Sequence, residues 1–298
     1  MQSPADAARA AANRRGILAM AAAMASFVAN DALVKYASQT MPAAQLIFIR
    51  GVMATLLVLA VAHSMGATRR IGDVVRGKVA VRAIIDAMAT MLYLGSLFHL
   101  PLGNATAINL AAPLVMIVFA VVFLQERVSL QRWLAILAGF AGVLLVIQPR
   151  AEGFNAWALV CLAGTLFHAT RDLLTRQIAQ NIPSILITLA TALAVTLLSG
   201  AASLVQGWKP FGLFELSLLA TASVFLAGGY YLIISSMREG EMSLVAPFRY
   251  TGLLFALVIG YVVWGEVPNL PAWCGIALLI GSGIYVLHGE RSRRQARA

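Results

Sequence analysis

Ionisable side chains interrupt several long apolar stretches of this sequence. Asp31 lies in the first stretch with Lys35 one helical turn further on, and Arg50 lies in the second at a similar distance from the same end. The charges that are candidates for ion pairs, gates or solute binding are Asp31, Lys35, Arg50, Asp86, Arg171, Asp172, Arg176 and Arg249. A charge in an apolar environment is destabilising unless it is paired, so opposite charges at equal depth are expected to pair.

These charges have two interpretations, and both stay open at this point. They are structural ion pairs that hold helices together, or they form clusters at opposite ends of a bundle that open in turn as gates. Their equal depth predicts that Asp31 and Arg50 pair directly near one end. The cluster predicted near the other end contains Asp86, Arg171, Asp172 and Arg249.

Between the two clusters the sequence predicts a pocket with a different chemistry. Its candidate lining residues carry aromatic, amide or imidazole groups within apolar stretches: Tyr93, Asn109, His168, Tyr231 and Tyr250. Aromatic walls with a few polar groups suit a small amphipathic solute. Arg249 is the candidate for a solute carboxylate, because a guanidinium binds a carboxylate as a planar fork. The alternative is that these side chains only pack against neighbouring helices.

Signatures of several other chemistries are missing from the sequence. It has no GxxxxGK followed by Ser or Thr, no HExxH, and no Ser/His/Asp arrangement that spacing could support. The two cysteines, Cys161 and Cys274, lie in different apolar stretches and give neither a disulfide framework nor a metal spacing. We therefore expect no enzymatic activity, no cofactor and no metal site.

The elements that position these residues are apolar segments of membrane-spanning length. The chain of 298 residues is 60% hydrophobic and 11% charged, which leaves too little polar surface for a soluble domain. Segments of about 20 residues, the length that crosses a bilayer, lie at 16–38, 43–64, 79–98, 103–124, 131–148, 156–177, 185–206, 214–236, 243–264 and 271–288. No stretch alternates with period 2. The prediction is an all-α integral membrane protein with ten transmembrane helices.

The sequence also repeats itself after about 140 residues. Asp31, Lys35 and Pro42 recur 141 residues later as Asp172, Arg176 and Pro183. At an offset of 140, Glu126 matches Glu266. We predict a first repeat at 16–149 and a second at 150–288, between a cytoplasmic tail at 1–15 and a basic cytoplasmic tail at 289–298. Five helices per repeat place the second repeat in the membrane upside down relative to the first.

The distribution of basic residues predicts the orientation. With a cytoplasmic N-terminus, the inside segments hold Arg9, Arg14, Arg15, Arg69, Arg70, Arg76, Lys78, Arg82, Arg127, Arg132, Arg176, Arg238, Arg291, Arg293, Arg294 and Arg297, and the outside segments hold only Lys35, Arg150 and Lys209. Cytoplasmic loops carry an excess of Lys and Arg, so both termini are expected to be cytoplasmic. The net charge of +10 is then a topology signal, and no nucleic-acid partner is expected.

Small residues mark two of the predicted helices. Ala138 and Gly142, and likewise Ala277 and Gly281, stand one helical turn apart, a spacing that allows helices to pack closely. We expect this packing within a monomer, although dimerisation stays an alternative.

The chain resembles the EamA family of the drug/metabolite transporter superfamily. The resemblance rests on the five-plus-five inverted pattern and on the tract from Pro113 to Leu124 with Glu126, followed by Gly139 and Gly142. A second set of positions, Asn30, Lys35, Pro42, Arg50 and the Pro-Phe-Arg-Tyr tract at 247–250, is most similar to the YddG-type amino-acid exporters. The resemblance implies a carrier of the bacterial inner membrane that exports amino acids, aromatic ones among them, through a central cavity between the halves.

Other functions compete with this expectation. The same fold could export drugs or exchange phosphorylated metabolites, but a phosphate exchanger should line its cavity with several Lys or Arg. A membrane enzyme or a passive scaffold is the third class, and the short predicted loops leave little room for an active site. The expected partners are small-molecule substrates and the lipid bilayer.

Overall fold

Helices make up almost all of the computed structural model, which describes residues 4–124, 130–148, 155–175, 177–179, 181–239 and 246–295. The first predicted repeat contributes α1 (Pro4–Ala37), α2 (Ala43–Ser64), α3 (Gly77–Leu97), α4 (Leu102–Asn109), α5 (Ala112–Leu124) and α6 (Leu130–Ile147). The second contributes α7 (Trp157–Thr175), α8 (Ser184–Gln206), α9 (Leu213–Glu239), α10 (Thr251–Trp264) and α11 (Leu270–Gln295). Two 3₁₀ segments, Ala67–Val75 and Ala246–Tyr250, precede α3 and α10. These described ranges contain no strand.

Among the described residues, five helices are long and apolar enough to cross a membrane. They contain the candidate spans Ala11–Ala37, Ala43–Ser64, Gly77–Leu97, Ser184–Gln206 and Leu213–Ile233. Four shorter apolar helical stretches cover Leu102–Val115, Trp133–Ile147, Phe248–Trp264 and Leu270–Tyr285. The helical class is as predicted, whereas the count of ten crossings stays a prediction.

The first helix begins earlier than the predicted span. Residues 4–15, predicted as a tail, continue the helix that contains the span at 16–38. This part of α1 is rich in alanine, the strongest helix former, which explains why it is helical although it is polar. At the other end of the chain, α11 runs to Gln295 and includes most of the predicted basic tail.

The fourth predicted span is two helices rather than one. Helix α4 ends at Asn109, a turn covers Leu110 and Ala111, and α5 begins at Ala112. Pro113 accounts for the break, because proline has no backbone N–H and its ring clashes with the carbonyl four residues earlier, that of Asn109. A second irregularity, the change from the 3₁₀ segment to α10 after Tyr250, lies 140 residues further along. Both interruptions occur next to residues predicted to bind the solute.

The helices pack in a pattern that is unchanged when the two halves are exchanged. Helix α1 packs on α9 and its counterpart α7 packs on α3, while α2 pairs with α8 and α6 with α11. Thr55 of α2 and Thr196 of α8 are 141 residues apart, the offset of the sequence repeat, and their hydroxyl oxygens lie 3.2 Å from each other. A residue in contact with its own repeat image lies on the axis that relates the repeats.

The two glycines of the small-residue motifs, Gly142 and Gly281, differ in how closely another helix approaches them. At Gly142 of α6, the backbone of α11 at Gly275 and Leu279 lies directly against the helix. Apart from its own helix, no described residue has an atom within 4 Å of the position a Cβ would take at Gly281. It lines, with Ala138 and Ala277, an outer groove between α6 and α11.

This difference predicts opposite outcomes for two alanine substitutions. In Gly142→Ala, the new Cβ would lie 2.6 Å from the Gly275 carbonyl oxygen and 3.0 Å from the Leu279 nitrogen, neither of which can turn aside. We expect a loss of about 1–3 kcal/mol in the free energy of unfolding, the usual effect of overpacking. Gly281→Ala is the matched control and should be neutral or slightly stabilising, since alanine favours the helix. Unfolding of both variants in detergent tests this, and equal losses would contradict it.

Candidate functional site

Polar side chains form a column through the interior of the bundle, and its first cluster surrounds Lys35. The ammonium of Lys35 donates to Glu266 Oε1 at 2.5 Å and to the Leu100 carbonyl at 2.7 Å. It also lies 4.7 Å from the ring centroid of Trp264. The second oxygen of Glu266 accepts the backbone N–H of Leu102 at 2.7 Å.

The Lys35 cluster therefore joins the two halves. Lys35 comes from α1, and Glu266 follows α10 in the second half. Because Leu102 is the first residue of α4, the Glu266 carboxylate also caps the positive end of that short helix. A cavity of about 460 Å³ lies beside this cluster, and Lys35, Phe98 and Trp264 are among its lining residues.

The second cluster contains Asn30, Asp31, Arg50 and Tyr93. Arg50 Nη1 donates to Asn30 Oδ1 at 3.0 Å, and Asn30 Nδ2 donates to Asp31 Oδ1 at 2.9 Å. The other oxygen of Asp31 accepts the Tyr93 hydroxyl at 2.9 Å. The sequence predicted that Asp31 and Arg50 pair directly, but in the structure the Asn30 amide stands between them. Asp31 and Arg50 do lie at equal depth on their helices, but depth alone does not show that the Asn30 side chain lies between them.

The third cluster lies where α7 of the second half faces α4 of the first. The imidazole of His168 is 2.8 Å from Asn109 Oδ1, and its ring lies 5.9 Å from that of Tyr93. Thr165 donates to the Cys161 carbonyl and, across to α4, to that of Ile108. Three predicted pocket residues, Tyr93, Asn109 and His168, are thus brought together, and Tyr93 links them to the second cluster.

The fourth cluster is a chain of alternating charges between α3 and α7. Asp86, only 2% exposed, accepts Arg171 Nη1 at 2.8 Å and lies 3.4 Å from Arg82 Nη1. Arg171 also contacts Asp172 at 2.9 Å. Arg82 continues the network to Thr191 of α8 at 2.6 Å. The sequence correctly grouped Asp86, Arg171 and Asp172, but it gave the second cation as Arg249, whereas the structure has Arg82.

Other predicted residues lie apart from this column. Tyr231 is 73% exposed on the outside of the bundle, so its predicted position in the pocket is wrong. Its neighbour Tyr230 points inward instead, and its ring lies 5.3 Å from that of Phe27. Tyr230 is also within range of electrostatic interaction with Arg50 and Asp86. Helix α9 is apolar on most sides, so the sequence alone could not decide which tyrosine faces inward.

The predicted residues of the second 3₁₀ segment are also separate from the described clusters. Tyr250 is buried against Gly283 of α11, and its hydroxyl has no hydrogen-bond partner among the described residues. Arg249 is partly buried and makes no hydrogen bond or ion pair with another described side chain. Arg176 lies outside the described residues, so its predicted role in an ion pair is not addressed.

Several members of the column were missing from the sequence-based set of site residues, among them Asn30, Arg82, Tyr230 and Glu266. The sequence did contain a signal for Glu266, because a glutamate occupies the same position in both repeats, as Glu126 and Glu266. Since Glu266 follows a helix, its contact with Lys35 could not be predicted from depth along a span. Within the described part of the chain, no three His, Cys, Asp or Glu side chains are grouped as a metal site would require.

Both halves of the chain match one known protein family. The model of the EamA-like transporter family matches residues 14–148 and again residues 155–287. A solved crystal structure, 18% identical in sequence, superposes with a TM-score of 0.65 over 94% of this chain and 99% of that chain. At that identity the superposition shows a shared fold.

Several named relatives are similar over nearly the whole chain. The pseudopaline exporter CntI of Pseudomonas aeruginosa is 28% identical, over 92% of this chain and 94% of its own. The S-adenosylmethionine uptake transporter of Rickettsia bellii is 24% identical, over 90% and 91%. The riboflavin transporter of Vibrio cholerae is 24% identical, over 94% and 96%. None of these three is named for amino-acid export.

Proposed function

Because the chain belongs to the EamA-like transporter family, we propose that it is a secondary transporter that exports amino acids and related small metabolites by alternating access. That it is a membrane transporter and not an enzyme follows from the family and its named relatives. The class of solute, the direction and the mechanism are the proposal.

One observation carries the proposed mechanism: the polar contacts of the column cross between the two halves at several depths. Lys35 of the first half binds Glu266 of the second, Asn109 binds His168, and Asp86 binds Arg171. Alternating access requires the halves to separate at one end while they stay closed at the other. Ion pairs at opposite ends of the column suit that requirement, because each can break without loss of the other.

The charges in the column favour solutes that carry both signs. Asp31, Arg50, His168 and Tyr93 offer an anion, a cation, an imidazole and a hydroxyl within one connected network. An exchanger of phosphorylated metabolites should instead have several basic residues free of acids. In the described column Arg82 and Arg171 both contact Asp86 and Lys35 contacts Glu266, so Arg50 alone lacks a direct ion pair. One relative is named for S-adenosylmethionine, whose methionine part is an amino acid. Amino acids and their derivatives are therefore the favoured class.

Uptake into proteoliposomes tests the solute class. Vesicles with purified protein are given labelled amino acids, riboflavin, S-adenosylmethionine, a cationic drug and a sugar phosphate, with and without a pH gradient. We expect saturable uptake of at least one amino acid above the level of protein-free vesicles. Uptake of only riboflavin, the drug or the sugar phosphate would overturn the amino-acid proposal and leave the transporter assignment intact.

We place the chain in the bacterial inner membrane as a monomer, with two inverted repeats and both termini in the cytoplasm. The exposed Arg69, before α3, is then cytoplasmic, and the exposed Lys209, before α9, faces outward. In a background without Cys161 and Cys274, Lys209→Cys should react with an impermeant thiol reagent in intact cells. Arg69→Cys should react only after the membrane is permeabilised. The reverse pattern would overturn the orientation.

A further inference from the structure

The charges of the column differ in how they are neutralised. Lys35 contacts Glu266 directly, and Arg82 and Arg171 contact Asp86 directly. Asp31 and Arg50, in contrast, make no direct ion pair with any described residue, and each contacts only neutral groups. Within the described part of the column, these two are the pair of opposite charges left separated.

Arg50 also has a donor without a partner. The residue is only 5% exposed, and its Nε has no hydrogen-bond partner among the described residues. A buried donor left unsatisfied is destabilising, and for a charged group the cost is larger than for a neutral one. A bound solute that carries an acceptor group would satisfy this donor.

The contacts of Asn30 indicate the chemistry of that acceptor. The Asn30 side chain is 2% exposed, gives an oxygen to Arg50 and gives an N–H to Asp31. A zwitterionic amino acid would do the same with full charges, since its carboxylate accepts from a guanidinium and its ammonium donates to a carboxylate. Asn30 thus occupies, as a neutral amide, the place between two charges that an amino-acid backbone group fits.

We propose that Arg50 and Asp31 bind the carboxylate and the ammonium of the transported solute, with Asn30 as the group that the solute displaces. The inference rests on the proposed export of amino acids and gives the recognition role to Arg50, whereas the sequence suggested Arg249. Tyr93 holds the second oxygen of Asp31 and links this site to His168.

A transport assay with three related solutes tests the roles of Arg50 and Asp31 separately. For phenylalanine they are the amino acid, its amide without the carboxylate, and 3-phenylpropionate without the ammonium; another amino acid is treated alike if wild type prefers it. Arg50→Gln should reduce amino-acid uptake by about ten- to a hundredfold, the range for a hydrogen bond to a charged group, and amide uptake much less. Asp31→Asn should reduce amino-acid uptake similarly and 3-phenylpropionate uptake much less.

Two further variants separate recognition from stability. Asp86→Asn breaks a direct ion pair elsewhere in the column, so any loss should be equal for all three solutes. The double variant Arg50→Gln with Asp31→Asn leaves no uncompensated charge and provides a folded protein if a single variant does not fold; it should lose preference for the zwitterion over both analogues. Arg249→Gln, measured alongside, should keep the wild-type preference for acid over amide.

The outcomes distinguish this inference from the proposed function. If wild type transports amino acids but Arg50→Gln and the double variant keep the wild-type preferences, the site is not at Arg50 and Asp31, while the proposed function stands. If Arg249→Gln alone removes the preference for the carboxylate, Arg249 is the binding residue and our assignment is wrong. If wild type transports no amino acid, the proposed function fails first, and this inference fails with it.

Discussion

Replacement of Asp86 by asparagine is expected to lower the free energy of unfolding by about 3–5 kcal/mol, the usual effect of removing one partner from a buried ion pair. Asp86 is 2% exposed and contacts both Arg171 and Arg82, so the substitution leaves two cations in the interior with reduced neutralisation. Thermal or denaturant unfolding of the purified protein in detergent gives the measurement.

The chain provides a matched control for this prediction. Asp172 contacts the same guanidinium of Arg171 at 2.9 Å, but its side chain is 30% exposed compared with 3% for Asp86. A partly exposed pair contributes less than a buried one, so Asp172→Asn should cost about 1 kcal/mol or less. If both substitutions were equally destabilising, burial would not explain the importance of Asp86, and the fourth cluster would have to be treated as one unit.

A covalent cross-link between the positions of Lys35 and Glu266 is expected to stop transport completely. Lys35 and Glu266 link the two halves beside the cavity, and under alternating access that link must break once in every cycle. Cysteines at both positions, in a background with alanine at Cys161 and Cys274, are joined by a short bifunctional reagent with a reducible bond. Uptake into proteoliposomes should fall to the level of protein-free vesicles and return when the link is reduced.

The two single-cysteine variants are the controls for this experiment. Each carries the same reagent at one end only, so it reports the effect of modification without a link between the halves. The linked protein should also be more stable to heat than the unlinked one, since the halves are held together. Full transport with the link in place would mean that Lys35 and Glu266 do not separate during the cycle, and they would then be a structural pair.

The sequence predicted the helical class and part of the column for clear physical reasons. Asp86, Arg171 and Asp172 were grouped because unpaired charges at the same depth are unfavourable in an apolar bundle, and they do form one network. Asn109, His168 and Tyr93 were placed together near the middle, and their contacts agree with that prediction. Both predictions depended only on depth along a helix.

Predictions that required the rotation of a helix or a contact from a connection were less successful. Tyr230 and Tyr231 are adjacent, so they point about 100° apart, and an almost uniformly apolar helix gives no sign of which faces inward. Glu266 follows the end of α10, so its depth in the membrane could not be counted along a helix and its contact with Lys35 could not be predicted from depth. Equal depth of Asp31 and Arg50 predicts a direct contact, but depth carries no information about the Asn30 amide that lies between them.

The contact between Thr55 and Thr196 has a consequence for how such a bundle can arise. A residue that touches its own counterpart is what the interface of a symmetric dimer contains, because the same surface patch serves both partners. A single unit of half this length, assembled with a second copy of itself, would thus already possess the packing between α2 and α8. Gene fusion then lets the copies diverge: Lys35 has no second lysine at its repeat position, and Asn109 corresponds to Arg249. The shared axis preserves the scaffold, and under the proposed function divergence around it would let the two halves bind an asymmetric solute.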